Sequence, residues 1–174
     1  MGETNIDLIK FPKIIILVFG FALANFMALF ITPALPDIAK SFHVSLEDTS
    51  RVMTVFLLGY WFGQLPYGPL AHRFGRKGAF SIGTGIALLG TVMACVATDF
   101  TTLCIARFLQ AFGASAGFKI VFTMIGDLYS GEQAARVIAV VSMSFGLIPG
   151  LATAFGGVLV TLSGWRGCFI FLVF

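Results

Sequence analysis

The chain has 174 residues, 58% of them hydrophobic and 11% charged, with a net charge of +3 and a mean hydropathy of +0.98. A soluble domain is about a quarter charged, so this composition excludes an ordinary water-soluble fold and makes lipid the solvent. The cations sit at the ends of apolar runs and form no basic stripe, which excludes a nucleic-acid partner.

Residues 1–13 are polar and carry Lys10 and Lys13. A first membrane span is expected over about 14–35: the apolar run from Ile14 to about Ile31 is long enough to cross ~30 Å of hydrocarbon at ~1.5 Å per residue. Ala22-Leu23-Ala24 mimics a signal-peptide cleavage site, but the apolar run continues past it and further spans follow, so the segment reads as retained. Thr32-Pro33-Ala34-Leu35-Pro36 loosens or ends the helix, and residues 37–51 read as a polar connection. Further spans are expected over about 51–70, 78–97, 102–126 and 137–162, with a sixth from Gly167 that is incomplete at Phe174. That last segment would be ~12 Å of helix, too short to cross, so the chain reads as a piece of something longer.

The turn Gly68-Pro69-Leu70-Ala71-His72-Arg73-Phe74-Gly75-Arg76-Lys77 orders the topology, because short loops rich in Lys and Arg stay cytoplasmic. With the N-terminus inside, Lys10, Lys13, Arg73, Arg76, Lys77 and Arg136 lie inside, and Lys40, Arg51 and Arg166 outside. Arg107 and Lys119 remain, both within the fourth span.

Arg107 is the most informative residue. A cation at that depth costs about 2.5–3.5 kcal/mol on insertion scales and commonly faces a bundle interior or a wet path. Gln110 lies one turn further on, and Asn25 offers a second polar group in the first span. Lys119 is nearer the inner end and can snorkel. Gly113-x-x-x-Gly117 and Gly146-x-x-x-Gly150 have the spacing of close helix contacts, and Pro149-Gly150 reads as a kink or hinge. Gly113-Ala114-Ser115-Ala116-Gly117 matches a G-x-S-x-G elbow, but inside an apolar helical run rather than between a strand and a helix. No catalytic set, metal cluster or phosphate loop is evident, so no enzyme activity, metal or cofactor is expected. All eight carboxylates lie in tails, loops or span ends; Asp37 is the one nearest a span interior. Cys95, Cys104 and Cys168 read as small apolar residues.

Together these segments resemble the major facilitator superfamily, in particular its drug/proton antiporters of the bicyclomycin-resistance type. The 68–77 turn looks like the family's loop between helices two and three, and Arg107-Phe108-Leu109-Gln110-Ala111-Phe112-Gly113 like its helix-four motif. The stretch from Asp127 to Arg136 resembles the loop between helices four and five. Pro149-Gly150 with Gly156-Gly157 resembles the helix-five antiporter motif, and Gly164-Trp165-Arg166 the start of helix six. The chain departs from that pattern in carrying His72 where the loop has Asp, Leu29 where many members have an acid, Gly126 where Arg is usual and Ala111 where Gly is common.

The resemblance implies an all-α polytopic membrane protein, residues 1–174 being the six-helix N-terminal half of a major facilitator fold. It also implies alternating access about a central site, with Arg107, Gln110 and Asn25 on the substrate and proton pathway. Gly68, His72, Arg73, Gly75, Arg76 and Lys77 would form the gating loop, and Pro149, Gly150, Gly156 and Gly157 the helix-five hinge. The expected partners are a small amphipathic substrate, protons, the bilayer, and a missing C-terminal half or second chain, in a bacterial inner membrane with the N-terminus cytoplasmic. The rival reading is a non-transporting remnant, or a half-transporter that must pair with another chain.

Overall fold

The computed structural model describes residues 21, 22 and 25–173, apart from the side chain of Ser144. The first span's expected residues before Phe21, together with Lys10, Lys13, Leu23 and Ala24, lie outside them. The described chain is all-α. Helix at residues 25–29 leads into a 3-10 turn, Thr32–Ala34, then α1 (Leu35–Phe42), α2 (Leu46–Thr49), α3 (Arg51–Cys95), α4 (Phe100–Leu128) and α5 (Gly131–Val173). The last three are long and apolar enough to cross a membrane.

The proline stretch expected to loosen or end the first span loosens it: the α-helix gives way after residue 29 to a turn and the 3-10 segment, then resumes as α1. Proline falls at the first turns of the 3-10 segment and of α1, where a helix needs no amide donor. The polar connection expected over 37–51 is therefore largely helical. α1 stops at His43, whose φ of 53° is left-handed and turns its amide back onto the carbonyls of Ala39 and Lys40. Ser45 caps α2 by accepting from the Asp48 amide at 2.9 Å, and Asp99 caps α4 by accepting from the Thr102 amide at 2.8 Å.

α3 and α5 are each a hairpin of two helical limbs. In a straight helix Tyr67 and Gly83 would stand ~24 Å apart. Instead the Tyr67 ring lies 3.2 Å from where a Cβ on Gly83 would sit. The reversal is made at Gly75, with φ 74° and ψ 167°, a conformation open in practice only to glycine. Gly164 does the same in α5 (φ 67°, ψ −177°), which brings the Phe155 and Phe171 rings to 5.3 Å. The turns expected as loops at 68–77 and 163–166 are thus helical but for one residue each. α5 also begins before the expected Val137, its first turn steadied by a Glu132–Arg136 ion pair at 2.6 Å.

α4 is the central rod, and glycines let both limbs of α3 approach it. Cβ atoms on Gly59 and Gly63 would fall 2.5 Å from the carbonyl oxygens of Phe108 and Phe112. On the other limb, one on Gly90 would fall 2.4 Å from the Gln110 nitrogen. Gly113 lies against Gly83 and Ala87 in turn, so the first half of the expected Gly113-x-x-x-Gly117 contact is made. The Gly146-x-x-x-Gly150 contact is not: both glycines face open space within the described residues. The helix-five glycines that pack are Gly156, tightly against the Phe30 carbonyl, and Gly157, beside Pro33. Toward the 97–99 end, one apolar cluster joins Phe30, Ile31, Ala34 and Ile38 to Leu103, Ala106, Trp165 and Phe169. Trp165 donates to Ser41 at 3.0 Å and Arg166 to the Ala97 carbonyl at 3.0 Å, tying three helix ends together.

Candidate functional site

Arg107 and Gln110 lie one turn apart on the buried face of α4, and neither is exposed at all. The Arg107 guanidinium donates through Nη1 to the Gln110 side-chain oxygen at 2.6 Å and to the Met27 carbonyl at 3.2 Å. Nη2 donates to the Ala28 carbonyl at 3.3 Å. The Gln110 amide nitrogen donates to the Thr91 hydroxyl at 2.9 Å, and that hydroxyl donates to the Ala87 carbonyl at 2.7 Å. A threonine hydroxyl has one proton, and the Ala87 carbonyl takes it. Gln110 must therefore offer Thr91 its nitrogen and Arg107 its oxygen. Donation thus runs outward from Arg107: one way to the Met27 and Ala28 carbonyls of the first span, the other through Gln110 and Thr91 to the Ala87 carbonyl on the second limb of α3.

Two aromatic faces close the site. The guanidinium carbon lies 4.1 Å from the Phe56 ring centre and 5.9 Å from that of Phe169. A desolvated cation–π contact is worth about 2 kcal/mol. Arg107 Nε is buried with no partner among the described residues, and no carboxylate pairs with the guanidinium there. Among the described residues the arrangement is a lone cation, held by dipoles and rings and fully buried.

Asn25 does not join this network: its side chain donates to the Phe21 carbonyl of its own helix at 3.2 Å. In the 68–77 turn, Arg76 pairs with Asp127 at the far end of α4, while His72, Arg73 and Lys77 are exposed. The turn is therefore tied to the Arg107 helix by a residue 20 positions along it. Pro149 and Gly150 lie in the interior of α5, where the departure from helical geometry falls at Gly164, so the helix runs through the expected hinge unbroken. Ser115 donates to the Phe112 carbonyl at 2.7 Å within α4, so its G-x-S-x-G has none of the strand-to-helix geometry of a nucleophile elbow. Sequence reasoning missed Thr91, Phe56 and Phe169. Thr91 shares a helical stripe of small residues with Gly83, Ala87 and Ala94, a legible signal; nothing local marks the two rings.

The sequence profile of the Major Facilitator Superfamily matches residues 14–174. The chain belongs to the Major Facilitator Superfamily. It is 33% identical over 141 residues, 81% of its length, to the Multidrug resistance protein D of Escherichia coli, and covers 36% of that protein. It is also 33% identical over 143 residues to a Bicyclomycin resistance protein homolog of Haemophilus influenzae, with 79% of this chain and 34% of that one covered. To a Chloramphenicol resistance protein of Pseudomonas aeruginosa it is 29% identical over 142 residues, 80% of this chain and 34% of the relative. The chain thus spans about a third of the length of these relatives. It is an integral membrane protein of a transporter family, and the resemblance to the family's drug-resistance members is borne out.

Proposed function

We propose that the chain is the N-terminal six-helix half of a secondary active transporter, one that exports small amphipathic molecules in exchange for protons by alternating access. The observation that carries this reading is the Arg107 site. A guanidinium with no carboxylate partner among the described residues is kept at real cost in a bundle interior, which is the mark of a path for charge or substrate. Phe56 and Phe169 seal it, so exposing it means moving the first limb of α3 or the end of α5 away from α4. The Arg76–Asp127 pair ties the cytoplasmic turn to that same rod and would break or hold as the rod tilts. The second half of the path belongs to a complementary six-helix unit, in the same polypeptide or another chain, in a bacterial inner membrane.

Everted vesicles from a drug-sensitive bacterium test this with the chain alone and with a complementary C-terminal half co-expressed. Uncoupler-sensitive export of an amphipathic dye is expected only with both halves, and is lost in Arg107→Met. Export by the chain alone would overturn the half-transporter reading; export indifferent to uncouplers would overturn proton coupling; none in either arrangement would overturn transport.

A further inference from the structure

A second polar site lies on α4 away from Arg107. Lys119 is twelve residues further along the helix, ~18 Å at helical rise. There a cleft of about 380 Å³ opens between α4 and the first limb of α3, lined by Trp61, Gln64, Leu65, Gly68, Pro69 and Lys119. That volume is at the lower end of the range of small-molecule sites.

The lining divides by chemistry. Trp61, Leu65 and Pro69 follow one another at four-residue intervals and form an apolar wall, with Trp61 67% and Leu65 71% exposed. Gln64 and Lys119 supply amide and ammonium donors. The Lys119 Cε lies 3.8 Å from where a Cβ on Gly68 would sit, so the bare backbone at 68 leaves room for the lysine stem to cross toward α3. No ion pair among the described residues engages Lys119; these take up Arg51, Arg76 and Arg136. Among the described residues no carboxylate lines the cleft. An unpaired ammonium beside an indole and an aliphatic wall, with no acid to neutralise it, selects a negatively charged head on an apolar body.

We propose that this cleft binds an amphipathic organic anion, with its carboxylate, sulfonate or phosphate on Lys119 and Gln64 and its apolar body along Trp61 and Leu65. The site is independent of the transport reading, because binding needs only this chain. Two sources offer such a molecule: an anionic lipid of the bilayer and a soluble organic acid.

Nanodiscs of phosphatidylcholine holding the chain distinguish them by tryptophan fluorescence. One arm adds brominated phosphatidylglycerol against brominated phosphatidylcholine; the other adds 1-naphthalenesulfonate against uncharged 1-naphthalenemethanol. Saturable quenching at least about tenfold tighter for the anion than for its uncharged or zwitterionic match is expected in one arm or both. Preference in the first arm assigns a lipid site, and in the second a site for soluble anions. Lys119→Gln is expected to bring the anion down to its control, Lys119→Arg to keep the preference, and Gly68→Leu to remove binding of both by filling the cleft. Circular dichroism checks that each variant keeps its helices. Absence of any anion preference, or a preference unchanged in Lys119→Gln, overturns the proposal.

Discussion

Arg107 carries its charge where nothing of opposite charge meets it among the described residues, and its neighbours decide what a substitution does. Lysine keeps the charge but has no planar fork to reach Gln110, Met27 and Ala28 together. Methionine removes the charge and the need to satisfy it, and replacing a buried ion by an apolar group of similar size is often neutral or better. Arg107→Lys is therefore expected to cost about 3 kcal/mol more stability than Arg107→Met, measured by thermal unfolding in detergent. The reverse order would mean that the site is wet. Asp99 offers a second test at this scale. The Thr102 hydroxyl and then the Thr102 amide hydrogen-bond its carboxylate and hold its pKa below the ordinary value of 3.8. A lowered carboxylate pKa gives stability that is complete above the ordinary value and is lost as pH falls through the lowered one. Exchange at the Thr102 amide should therefore quicken below about pH 4 beyond the solvent trend. Asp99→Asn keeps a capping oxygen that does not titrate there and should abolish the extra dependence.

At the scale of the element, α4 is built to be approached. A Cβ on Gly113 would fall 2.2 Å from the Ala87 nitrogen and 2.4 Å from the Gly83 carbonyl oxygen, so any side chain there parts α3 from α4. Gly126, on the same helix, faces open space among the described residues. Gly113→Ala is expected to cost about 1–3 kcal/mol as overpacking, whereas Gly126→Ala should gain up to about 1 kcal/mol from helix propensity. Thermal unfolding of the two variants side by side checks the contrast; equal effects would mean that the close approach is absent. The prolines make the related point that position outweighs type: near Pro33 and Pro36 the chain stays helical, while at Gly75 and Gly164 one left-handed residue reverses it.

At the scale of the molecule, two hairpins and a central rod leave large apolar side chains such as Leu65, Leu89, Leu147 and Leu162 facing outward, as a bilayer requires. From its excess of Lys and Arg the 68–77 turn is expected on the cytoplasmic side. In a variant without native cysteines, Lys77→Cys should resist an impermeant maleimide in intact cells and react once the membrane is opened. Thr98→Cys, in the turn before α4, should react in both. The opposite pattern would invert the topology. The Arg76–Asp127 pair is half-exposed, so breaking it is expected to cost less than about 1 kcal/mol of stability; its importance lies in what it connects.

Composition alone required a membrane solvent, and the positions of long apolar runs required helices, because a lipid-exposed backbone must satisfy itself. Spacing on one helix brought Arg107 and Gln110 together, since residues three apart share a face. What surrounds the guanidinium was decided only by tertiary structure. Thr91, Phe56, Phe169 and the Met27 and Ala28 carbonyls come from segments up to 80 residues away from it, and no local pattern links them. The same holds for the glycines. The sequence marks Gly113 and Gly146 alike as small, but only the packed bundle shows that, among the described residues, one meets another backbone and the other meets none. A pattern within a helix reports which residues share a face; what that face meets depends on how the other helices close around it.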